Sequence, residues 1–111
     1  MAFDENLAQR IRIALQHLDH VEEKKMMGGL TFMYNHKMCV GIIKDELMCR
    51  IDPQLQDFVL EREGCRIMDF TKRPMKGYIM VSQDGMRTKK DFEFWINLAL
   101  EFNSKAKSSK K

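Results

Sequence analysis

A chain of 111 residues, 44% apolar and 32% charged, has length for one domain with a single core and is too apolar to be disordered throughout. No apolar run approaches a membrane span, and the opening "MAFDENLAQR" lacks the apolar segment of a secretory leader, so a cytoplasmic protein is expected. The formal charge of +3 belongs to the C-terminus: setting aside Lys105, Lys107, Lys110 and Lys111 from 19 basic residues leaves 15 against 16 acids. Residues 1–103 therefore read as one nearly neutral folded domain, and residues 104–111 as a disordered lysine-rich tail.

Phe3, Leu7, Ile11, Ala14, Leu15 and Leu18 recur at spacings of three and four, which predicts an amphipathic helix over residues 4–22 with Asp4 as its N-cap. From Met26 the period shortens. "LTFMYN" and "KMCVGII" predict a β-hairpin turning at "NHK", and "LMCRI" beyond Asp45 and Glu46 predicts a third strand. Asp52 and Pro53 mark the start of a second helix that runs to Gly64, with Leu55, Phe58 and Val59 as its buried face. "CRIMDF" and "KGYIMVS" are two further strands flanking "TKRPM". Thr88 and Asp91 open a last helix over about residues 88–103. Its Phe92, Phe94, Trp95, Ile96, Leu98, Ala99, Leu100 and Phe102 cover more than one face, as a deep core or a dimer contact requires. The order α-β-β-β-α-β-β-α predicts an α+β domain, with helices against one face of an antiparallel five-stranded sheet.

Chemistry-bearing residues are scattered. Gly28 and Gly29 stand where the first strand begins, which poses a choice between a ligand loop and a backbone bend. A phosphate loop sends its glycines into a helix followed by Lys-Ser or Lys-Thr; here they enter a strand, and the lysines precede them. His17 and His20 fall on the first predicted helix, near its end, and His36 in the hairpin turn. With Cys39, Cys49 and Cys65 in no C-x-x-C spacing, they offer no convergent zinc set, and the odd cysteine count suits buried strand thiols in a reducing compartment. No serine or cysteine carries the motif of an activated nucleophile. Hence no catalytic residue, metal or cofactor is expected. Of ten methionines, Met26, Met27, Met33, Met38, Met48, Met68, Met75, Met80 and Met86 lie on or beside predicted strands, as core fillers or as an adaptable binding face.

The ordered combination of "MMGG", "LMCRID" and "RPMKGYIMV" with a Trp-bearing final helix resembles the N-terminal domain of the TfoX/Sxy competence regulators over roughly residues 8–103. It is most similar to the stand-alone, single-domain members. The resemblance implies a two-layer, secretion-chaperone-like α+β fold, often homodimeric, and makes Gly28 and Gly29 structural residues of a strand that kinks or bulges. Full-length regulators work with a cyclic-AMP receptor protein at promoters and have a second domain, which this chain is expected to lack. The family pattern brings no catalytic residues.

Two functions are expected from different classes. The first is a non-enzymatic, homodimeric protein-interaction module with an accessory role in transcription, using Arg50, Lys72, Arg73, Met75, Lys76 and Tyr78 as its surface. A solvated turn beside a strand-end arginine is the plainer account of the same residues. The alternative is nonspecific nucleic-acid binding through the tail with Lys89 and Lys90, or a small molecule held in a sheet-face pocket.

Overall fold

A computed structural model describes residues 4–26, 28–68 and 76–105. Helix α1 (Glu5–Leu15) starts at the expected cap: the Asp4 carboxylate accepts from the amides of Asn6 at 2.8 Å and Leu7 at 3.3 Å. Leu7, Ala8, Ile11 and Leu15 form its buried side. The helix stops at Leu15 instead of running to residue 22. His17, Asp19 and His20 are weak helix formers, and His20 adopts φ 62°, a left-handed conformation that redirects the chain. The chain then leaves as strand β1 (Val21–Met26), followed by β2 (Gly29–Tyr34), β3 (Lys37–Ile43), β4 (Glu46–Arg50), β5 (Cys65–Ile67) and β6 (Tyr78–Val81).

Every neighbouring pair is antiparallel, in the spatial order β1-β2-β3-β4-β6-β5. The α+β class and the antiparallel sheet agree with the sequence reading, while the described residues form six strands where five were expected. The added strand β1, "VEEKKM", sits at an edge with Glu22, Glu23, Lys24 and Lys25 exposed. It is held through its backbone ladder to β2, so it carries no apolar alternation to read.

The second helix is shorter than expected. Asp52 caps a 3-10 turn over Pro53–Leu55 by accepting from the Gln54 amide at 2.9 Å, and α2 (Gln56–Val59) adds a single α turn. Its buried face also differs: Val59 is buried, but Phe58 is 66% exposed and Leu55 39%. Gln56 turns inward instead, because its side-chain oxygen accepts from the buried Gly77 amide at 2.7 Å. That bond satisfies a donor that the strand ladder leaves over.

Helix α3 (Lys89–Asn103) is capped by the Thr88 hydroxyl, which accepts from the Asp91 amide at 3.0 Å. Phe92, Trp95, Ile96 and Ala99 enter the core. The Trp95 indole donates to the Gly85 carbonyl at 2.9 Å, so the largest core side chain leaves no polar atom unpaired. Its second apolar side is partly roofed by cations. The Arg62 guanidinium lies 3.9 Å from the Phe94 ring centre, and that of Arg50 lies 5.9 Å from Phe102.

One sheet face carries Leu30, Phe32, Val40, Ile42, Leu47, Cys49, Ile79 and Val81, which join α1 and α3 in the main core. Strand alternation sends Met48 and Met80 to the opposite face, where with Met68 they form a smaller methionine core bordered by Met38, Ile43 and Tyr78. The described strand methionines Met33, Met48 and Met80 are thus buried fillers. Among the described residues, no helix is long and apolar enough to cross a membrane.

Candidate functional site

The glycine pair spans the entry to β2: Gly28 lies in the β1–β2 turn and Gly29 is the first residue of the strand. Gly28 takes φ 75° in open space, where the turn needs a left-handed residue. Gly29 begins β2 against β3 so closely that a Cβ would stand 1.8 Å from the Ile42 carbonyl oxygen. The bulge lies elsewhere: the β2–β3 register slips between Phe32 and Met33, with Cys39 as the extra residue on β3.

Of the surface expected from the sequence, Arg50 and Tyr78 are brought together as register partners on β4 and β6, with the guanidinium 5.7 Å from the tyrosine ring centre. Both are half-buried. Lys76 is exposed in the turn that enters β6. Lys72, Arg73 and Met75 lie outside the described residues.

The thiols sit in the wrong environment for nucleophiles. Burial pushes Cys39 up to about 12 and holds Cys49 well above the ordinary thiol range. Cys65 is pushed up to about 11 by burial, partly opposed by Arg62. His17 and His20 fall beyond the end of α1 and not on it, and His36 places Nδ1 3.6 Å from the Glu22 carboxylate. No group of three or more His, Cys, Asp or Glu side chains among the described residues could hold a metal ion.

A groove of about 410 Å³ lies between α1 and the start of α3. Ile13, Ala14 and Phe92 make an apolar floor, and Arg10, Arg87, Lys89 and Glu93 make the rim. Arg10 crosses the floor: its Nη2 donates to the Met86 carbonyl at 2.8 Å, and its guanidinium lies 4.3 Å from the Phe92 ring centre. Arg87 is steered by Asp84, whose hydrogen bond holds that guanidinium above its ordinary range. Lys89 reaches Glu93 at only 4.0 Å, a loose surface pair. Ile13 is 62% exposed. The sequence reading missed this groove; its one signal is an isoleucine lying off the apolar stripe of α1.

Three cations and one acid around an apolar floor can accept an apolar anchor flanked by carboxylates. Other cations of the described surface are paired as well. Arg12 binds Glu23 through both carboxylate oxygens at 2.7 and 2.8 Å, Arg66 pairs with Glu46, and Arg62 lies 3.9 Å from Asp91.

A family model described as the TfoX N-terminal domain matches residues 14–103. No curated protein and no solved structure gives a significant match.

Proposed function

The chain belongs to the TfoX N-terminal domain family, and from that premise we propose that it is a non-enzymatic protein-interaction module with an accessory regulatory role. It docks an acidic, amphipathic segment of a partner protein in the groove between α1 and α3. The observation that carries this reading is the exposed Ile13 on an apolar floor rimmed by Arg10, Arg87 and Lys89. An apolar side chain left in water beside a rim of three cations and one acid favours a partner that supplies both complements. The high thiol pKa values support the non-enzymatic part, since a buried neutral thiol is a poor nucleophile. Direct nucleic-acid binding is less favoured: away from the groove, the described cations Arg12, Arg62 and Arg66 already face carboxylates that would repel phosphate.

The test is site-specific photocrosslinking in cells, with a photoreactive residue at Ile13 and, as the comparison position, at Lys76. The reading expects Ile13 to trap a protein segment rich in Asp and Glu, and Arg87→Glu with Lys89→Glu to abolish the product. Equal products at the two positions, or trapping of nucleic acid alone, would refute it.

A further inference from the structure

The outer edge of β1 is unpaired among the described residues, and its charges are arranged in a way that suits one particular partner. We propose that a second copy of this chain docks there, β1 against β1, to make one continuous antiparallel sheet across a two-fold axis. This goes beyond the groove reading and does not depend on it.

The backbone direction follows from the hairpin. The Asn35 amide donates to the His20 carbonyl, and the β1–β2 register pairs Glu22 with Met33, Lys24 with Thr31 and Met26 with Gly29. Hydrogen bonding to one neighbour alternates along an antiparallel strand, so the even-numbered residues turn their amides and carbonyls toward β2. Val21, Glu23 and Lys25 therefore point theirs outward. A two-fold axis perpendicular to the sheet must set residues of the same face opposite each other. The register that uses all three outward residues centres on Glu23, with Val21 opposite Lys25 of the second copy, and forms about six interchain backbone hydrogen bonds.

In that register the side chains agree. Glu22 falls opposite Lys24 of the second copy, twice by symmetry, at the closer non-hydrogen-bonded positions. The two central Glu23 side chains would repel if bare, but each is already clasped by its own Arg12 through both oxygens. Charged edges ordinarily block pairing, because an edge of one sign repels its copy. An edge with acids in its first half and bases in its second meets opposite charge when it runs antiparallel to itself. The other edge of the sheet, β5, is three residues long and offers a much shorter ladder.

Sedimentation equilibrium on the full chain tests the assignment, with thermal unfolding to confirm that each variant folds. Wild type should dimerise. Lys24→Glu sets two glutamate pairs face to face and should raise the dimer Kd about tenfold or more. The double exchange Glu22→Lys with Lys24→Glu restores opposite charge and should return the Kd close to wild type, although it also removes the Glu22 contact with His36. Lys25→Pro removes one outward amide without touching the ladder to β2, and should leave a folded monomer. A wild-type monomer across micromolar to submillimolar concentration overturns the proposal. So does a dimer that neither Lys24→Glu nor Lys25→Pro weakens, since its interface then lies elsewhere. Neither result bears on crosslinking at Ile13.

Discussion

Gly28 and Gly29 are adjacent in sequence, yet the same substitution should act on them through different physics. Alanine at Gly29 would place Cβ 1.8 Å from the Ile42 oxygen, roughly 1.2 Å inside the 3.0 Å limit that real Cβ contacts respect. The obstacle is backbone, and it is tied on both sides: Gly29 pairs with Met26 of β1, and its neighbour Leu30 pairs with Ile42 of β3. Relief means pushing β2 and β3 apart at the start of their ladder. Overpacking of that kind costs about 1–3 kcal/mol, and losing two ladder hydrogen bonds adds about 1 kcal/mol each, so Gly29→Ala should cost about 3–5 kcal/mol. At Gly28 a Cβ meets nothing within 4 Å, and only the φ of 75° resists, at about 1–2 kcal/mol. Urea unfolding followed by the fluorescence of the single, buried Trp95 would measure both. If Gly29→Ala cost no more than Gly28→Ala, the close approach of β2 to β3 would be wrong.

The clasp of Arg12 on Glu23 lowers the Glu23 pKa from 4.5, chiefly through the hydrogen bond to Arg12, against a smaller upward push from burial. Its stabilisation is therefore present above the ordinary carboxylate range and disappears as pH falls through the lowered value; with both side chains about a third exposed it should stay under about 1 kcal/mol. Wild type should exceed Glu23→Gln in stability near neutrality and match it once the pH is well below the lowered value, and a deficit that persists there would refute the pairing. For the cysteines, thiol labelling of the native protein at about pH 8 should be slow, since a group at about 11 is ionised in roughly one molecule in a thousand. Cys65 should label first and Cys49 last, all three rapidly in denaturant; fast native labelling of Cys49 would contradict its burial.

Much of the architecture was legible in the residues one at a time. The 3–4 spacing of Leu7, Ile11 and Leu15, the caps Asp4, Asp52 and Thr88, and the short apolar runs that became β2, β3, β4 and β6 each carry a local signal tied to burial on one side. The ordered "MMGG", "LMCRID" and "RPMKGYIMV" pointed to the family that the match over residues 14–103 shows. Arg50 and Tyr78 were named from the sequence and do meet, but only the register between β4 and β6 makes them neighbours.

What the sequence by itself determined, then, is the class of fold, the family and the positions of the helix caps, because propensity, capping and hydrophobic period act within a few residues. Tertiary structure alone decided the rest. Strand β1 exists because β2 offers it a ladder, not because its charged side chains ask to be buried. Gln56 turns inward while Phe58 stays in water because the Gly77 amide, far along the chain, needs an acceptor. The groove exists because α1 and α3 pack side by side, bringing Arg10 and Ile13 against Phe92 and Lys89. Contacts between residues so far apart in sequence leave no periodic trace in either segment, so only the folded chain could bring them into view.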